Sequence, residues 1–198
     1  MARQTLFPKR MFLDAAASLV VSGGPAAATT LAILRSTGAP AGSLYHRFAS
    51  RDALLAELWL SLAEGYQRQF LGLLEAGDAL EAALYTPRWV RRHGREARIL
   101  LLHRREDFVE KQWPDDFIQR AAHLGDELKQ GLRAFTRRCF GDCSAARLRR
   151  VQFALIDVPL ASVRRHLAAG EPIPAVADDL VRECCQALLA GGKEPTHE

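Results

Sequence analysis

Four cysteines and six histidines are the side chains here best suited to hold a metal or to act as nucleophile and base. Their spacing supports neither use. Cys139, Cys143, Cys184 and Cys185 follow no zinc pattern and are expected as small apolar core residues. The histidines show no His-x3-His spacing that would set two ligands on one helix face. No nucleophile elbow, phosphate loop or dinucleotide fingerprint occurs. We therefore expect no catalytic residue, no metal and no cofactor. What the sequence does offer is recognition of a polyanion. Residues 1–51 hold six Lys/Arg (Arg3, Lys9, Arg10, Arg35, Arg47, Arg51) against the single acid Asp14, whereas residues 52–198 hold 21 against 22. The whole surplus of the +4 chain thus sits in its first quarter. A basic module on a near-neutral body is the electrostatic footprint of nucleic-acid binding.

The elements that must position this charge are helical. Residues 1–8 read as an arm, and Lys9–Ser22 as a first helix whose Phe12, Ala15, Ala16, Leu19 and Val20 recur at the period of a buried stripe. Gly23, Gly24 and Pro25 stop it. Thr29 is an N-cap for a second helix ending at Gly38, the residue expected in the left-handed conformation of a tight turn. A third, short helix spans Pro40–Phe48, with Leu44 and Phe48 pointing inward. The stretch Thr29–Phe48 is then a helix, a glycine turn and a helix.

The rest also reads as helices, with no strand alternation. Ser50 caps a long one carrying Leu54, Leu55, Leu58, Leu62, Tyr66, Phe70 and Leu74. Asp78 caps a segment to His93, interrupted at Pro87. Glu96–Val109 is next, with Leu100, Leu101 and Leu102 buried. Another runs from Asp115 or Asp116 to Phe140. Ser144–Ala169 and Ala175–Ala190 close the chain, with Pro159 kinking the former, and a frayed tail follows from Gly191. The last two helices are apolar on more than one face, which implies burial on more than one face. We expect Phe153, Ile156, Leu160, Val163, Leu167, Val181, Cys184 and Leu188 to meet a second copy of the chain in a four-helix interface. Trp59, Tyr66, Phe70, Trp89, His93, His103, Trp113 and Phe117 are candidates to line a ligand pocket, alongside His123. The start carries no secretory signal and no apolar run is long enough to span a membrane, so a cytoplasmic protein with no membrane partner is expected.

Residues 9–55 resemble the DNA-binding domain of the TetR/AcrR family of bacterial transcriptional regulators. The resemblance rests on Phe12-Leu13-Asp14-Ala15-Ala16, Leu19, Gly24, Thr29, Ile33, Gly38, Gly42-Ser43-Leu44-Tyr45-His46, Phe48, Ser50, Arg51 and Ala53-Leu54-Leu55. It implies an all-α fold with a three-helix DNA-binding domain over 1–50 and a helical effector-binding and dimerisation domain over 51–198. It also implies a homodimer that binds a palindromic double-stranded operator, usually as a repressor, and is released by a small-molecule effector. By the same resemblance Thr29, Thr30, Tyr45 and Arg51 touch phosphate, and Pro40, Ala41, Gly42, Ser43, Tyr45 and His46 form the recognition helix, followed by Arg47. Here the sequence departs from the family. The recognition helix begins Pro40-Ala41-Gly42 without the usual serine and basic residue, and Leu31 stands where some members carry a guanine-reading arginine. Direct readout then falls to Ser43, His46 and Arg47, with Ala41 against a thymine methyl. An alternative reading is a helical small-molecule-binding protein that has lost sequence-specific DNA binding.

Overall fold

The computed structural model describes residues 7–109 and 113–190, and these are helical with no strand among them. In chain order come α1 (Lys9–Gly23), a 3-10 turn (Pro25–Ala27), α2 (Thr30–Thr37), α3 (Ala41–Tyr45) and α4 (Arg51–Ala76). Then follow α5 (Ala79–Arg92), α6 (Gly94–Leu102), a 3-10 turn (Arg105–Phe108), α7 (Asp115–Phe140), α8 (Ala145–Gln152), α9 (Val158–Ala169) and α10 (Val176–Ala190). A π-helical turn over Phe153–Asp157 joins α8 to α9 into one continuous run. Arg3, most of the expected arm and the tail from Gly191 lie outside the described residues. No helix among the described residues is long and apolar enough to cross a membrane.

The chain forms two compact units, one of residues 1–63 and 98–121, the other of 64–97 and 122–198. Each has its own core. In the first, Phe12, Ala16, Val20, Ile33, Leu44, Leu54 and Leu55 are almost completely buried together with Ile99 and Phe108. This is the inward stripe of α1 closing over α2, α3 and the start of α4. In the second, Phe70, Leu74, Leu84, Leu132, Phe135, Val151, Leu155 and Val181 form the core. Burial of a Leu or Phe side chain contributes about 1.5–3 kcal/mol, so each unit is stabilised chiefly by such a cluster.

Several helix boundaries differ from the sequence reading. Pro40 is the extended N-cap of α3 rather than its first residue, and the helix ends at Tyr45, three residues before Phe48. Pro87 does not interrupt α5. It is buried within the helix beside Thr86, Trp89 and Val90, and packing of that turn outweighs its missing hydrogen bond. The stretch expected as one helix over Glu96–Val109 is α6 plus a 3-10 turn, and Leu100, Leu101 and Leu102 are half-buried while Ile99 is fully buried. The distortion expected at Pro159 falls on the turn before it, where the Val158 N–H reaches five residues back to the Phe153 carbonyl. Of the cysteines only Cys185 is a core residue. Its thiol is pushed up to about 11 by burial, with smaller contributions from Cys139, Asp78 and Cys184. Cys139 and Cys184 are exposed, because each lies on an outer helix face.

Candidate nucleic-acid interface

Local chemistry fixes the turn between α2 and α3. The Thr29 hydroxyl oxygen accepts from the Ala32 N–H at 3.2 Å and caps α2. Gly38 closes the helix with φ +65° and gives its N–H to the Leu34 carbonyl. A side chain there would be strained, so glycine sets the turn. The Thr37 hydroxyl donates to the Ile33 carbonyl at 2.9 Å. Ile33 from α2 and Leu44 from α3 are then locked into the core, which dictates what the opposite faces show.

Those faces are exposed. On α2, Leu31 is 57% accessible, and Arg35 one turn later is also exposed. On α3 and its cap, Pro40, Ala41, Gly42, Tyr45 and His46 are exposed, Tyr45 to 53%. A Cβ at Gly42 would meet nothing within 4 Å, so the backbone there is open to close approach. Ser43, Arg47 and Thr30 are half-buried and Thr29 exposed. Nine of the ten residues expected on DNA therefore share the helix-turn-helix and its cap.

Arg51 is the tenth, and the structure redirects it. Its Nε donates to the Ala28 carbonyl at 2.9 Å, its Nη2 to the Pro25 carbonyl at 2.8 Å, and its Nη1 to Asp52 at 3.2 Å. Those carbonyls belong to the turn between α1 and α2, where the Pro25 carbonyl also accepts the Ala28 N–H at 3.2 Å and the Ala28 carbonyl relies on the arginine. Arg51 thus ties the start of α4 to the helix-turn-helix and is a structural residue. Lys9 is likewise engaged: it pairs with Glu57 at 2.9 Å and lies over the Phe48 ring. Burial pushes the Glu57 carboxyl up, but hydrogen bonds from Arg120 and Lys9 and their charges outweigh it and hold it below its usual value. Sequence reasoning missed this Lys9–Glu57–Arg120 cluster, whose members lie far apart in the chain.

The sequence profile of bacterial regulatory proteins of the tetR family matches residues 12–58. That match spans the helix-turn-helix and the start of α4. No curated protein matches the sequence. Among solved structures, FadR of Bacillus subtilis, a transcriptional regulator crystallised with stearoyl-CoA, superposes with a TM-score of 0.67 at 12% identity, covering 93% of this chain and 99% of that one. A putative tetR-family regulator from Shewanella sp. PV-4 gives 0.62 at 21% identity, over 94% and 96%. At these identities the likeness concerns the fold, which is shared over nearly the whole chain.

The residues expected to line one effector pocket do not form one group. Trp59, His103, Trp113 and Phe117 belong to the first unit. Trp59 and Trp113 pack edge to face at 6.0 Å, and neither buried indole N–H has an acceptor among the described residues. His103 meets Phe108 edge to face at 6.0 Å, and burial lowers its pKa. Tyr66, Phe70, Trp89 and His93 belong to the second unit. Phe70 is a core residue. Tyr66 shares a 2.7 Å hydrogen bond with Thr86 and meets Trp89 edge to face at 4.9 Å, and burial pushes its phenol up. Trp89 and His93 do line a cavity of about 270 Å³, with Tyr85, Arg88 and Arg92. Those three announce nothing in the sequence, since α5 reads there as a charged solvent face.

The expectation for the C-terminal helices also needs a correction. Val163, Leu167 and Val181, expected at a dimer interface, are buried within their own protomer at 0%, 6% and 0% exposure. Ile156, Leu160 and Leu188 are half-buried, and Phe153 and Cys184 are exposed. The exposed apolar residues there are Phe153, Val176 and Leu180, and Val176, Leu180 and Cys184 follow one face of α10 at intervals of four. A second apolar stripe was legible in the sequence. Which stripe faced out was not, because periodicity is blind to whether a neighbouring helix comes from the same chain.

Proposed function

We propose that this chain is a one-component transcriptional repressor that binds a palindromic operator as a homodimer and is released by a small-molecule effector. The observation that carries it is the exposed face of α3 and its cap, Pro40 to His46, held by the turn at Gly38 within a domain of tetR type. Residues 1–50 provide the DNA-binding module and 51–198 the effector and dimerisation functions. Two α3 helices enter successive major grooves about 34 Å apart. Tyr45, Thr29 and Thr30 contact phosphate and fix register, while Ser43, His46, Arg47 and Ala41 face base edges. The protomers pair through Phe153 and the Val176–Leu180–Cys184 face, apolar surface that burial in a four-helix interface would stabilise. Effector binding in the C-terminal unit changes the spacing of the two recognition helices; coupling of about 1–3 kcal/mol is typical of such switches.

FadR was crystallised in complex with stearoyl-CoA. In this chain the 270 Å³ cavity is lined by Trp89, Tyr85 and Arg92 and by Arg88, which is paired with Glu81, so it suits a ligand combining an apolar part with a polar group that Arg92 can meet. Electrophoretic mobility shift with the DNA flanking the protein's own gene tests the reading. A salt-sensitive shift supports it. Absence of any shift, with an intact folded protein, supports instead a helical small-molecule binder without DNA binding.

A further inference from the structure

The structure leaves one apolar side chain at the tip of a basic module without a partner in the fold. Leu31 is 57% exposed at the second position of α2. Two residues on, Ile33 is fully buried. Residues two apart on a helix point about 200° from one another, so burying Ile33 turns Leu31 outward. Arg35, four residues later, shares the Leu31 face. The same pairing recurs on α3, where exposed Ala41 shares a face with exposed Tyr45. Each exposed face thus carries an aliphatic group near the helix start and, one turn later, a group that can bond a phosphate. Neither Leu31, Pro40 nor Ala41 has a side-chain donor or acceptor, so none can read a hydrogen-bonding base edge. The one apolar feature that B-DNA displays in its major groove is the thymine C5-methyl.

We propose that Leu31 is a specificity-determining residue that recognises a thymine methyl in each operator half-site, with Ala41 adding a smaller contact of the same kind. The proposal rests on the DNA-binding reading above, which places base readers only on α3 and after it, and adds a reader on α2. Arg35 and Tyr45 supply the sequence-independent grip, and the leucine supplies the preference.

The test uses the full-length chain and random-sequence selection of its preferred duplex. Each thymine of the selected half-site is then replaced by deoxyuridine, which removes only the methyl, and affinity is read by fluorescence anisotropy. A buried methyl corresponds to about a fourfold loss per half-site and about fifteenfold when both are changed. Leu31→Ala, at an exposed position, abolishes the thymine-to-uracil preference at that one position and leaves the other thymines unaffected. A consensus without thymine overturns the proposal. So does equal affinity for thymine and uracil at every position, or an unchanged preference in Leu31→Ala. Failure to bind any DNA in a salt-dependent way overturns the DNA-binding reading itself, and the proposal with it.

Discussion

Two surfaces of this chain expose large apolar side chains, and they differ in what surrounds them. At the helix-turn-helix, Leu31 and Tyr45 stand about half exposed near Arg35, His46 and Arg47, in the part of the sequence that holds the whole net positive charge. At the C-terminal end, Val176 and Leu180 are as exposed, but α10 carries Asp178, Asp179 and Arg182 on its other sides, and Arg182 is bonded to Asp179. The first surface mixes apolar groups with cations that suit a phosphate backbone. The second is an apolar stripe bordered by the exposed acid Glu183, with Asp179 paired to Arg182 and Asp178 to Arg91, and it carries no surplus of cations. Equal exposure therefore points to different partners, and the electrostatic setting distinguishes them.

The largest effect expected from breaking this contrast is at the C-terminal stripe. Leu180→Asp places two charges at the centre of an apolar contact and should weaken pairing on the order of a hundredfold. Light scattering would show the species shift to the 21.9 kDa monomer, with half-site DNA contacts surviving only weakly. If the dimer persists, another face makes it. Next in size is Arg51→Ala. It removes the side-chain donor from both carbonyls and leaves that of Ala28 unpaired, while Pro25 keeps the Ala28 N–H; a hydrogen bond to a charged group contributes about 1.5–3 kcal/mol, so a stability loss of about 2 kcal/mol is expected in urea. A phosphate-binding Arg51 would instead lower DNA affinity with stability unchanged.

Tyr45→Phe should weaken binding to all DNA sequences alike, about five- to tenfold, because a phosphate contact carries no base information. A change confined to one base position would move Tyr45 among the readers. The smallest effect is in acid. Burial lowers the His103 pKa below its ordinary 6.5, with the Arg98 charge adding to this and Asp107 opposing it. The unfolded chain then takes up the proton first, so stability falls as pH drops from the ordinary value through the folded one, and levels off below it. His103→Gln should remove that slope, as read by thermal melts across pH 7 to 5.

How much of this was legible in the sequence follows the same division. The helix-turn-helix was readable because its determinants are local. Thr29 caps from three residues away, Gly38 alone tolerates its φ, and Ile33 and Leu44 are placed by helical period. The roles of Arg51 and Lys9 were not readable, since their partners lie 23 and 48 residues away, at Ala28 and Glu57. The last helices were half readable. Apolar periodicity found two stripes but counted Val163, Leu167 and Val181, which are buried within the protomer, among the residues free to meet a second copy. The cavity beside Trp89 was least readable, because Tyr85, Arg88 and Arg92 become neighbours of Gln69 only when α5 packs on α4.

The central claim is that the basic helix-turn-helix binds duplex DNA through phosphate contacts. The most direct test is the affinity of the intact chain for its selected operator across a salt series. Log K should fall linearly with log salt, at about −0.9 per phosphate neutralised, and Arg35→Ala should make the slope shallower by about one contact for each half-site. Affinity that is independent of salt, or a slope unchanged in Arg35→Ala, would contradict the claim.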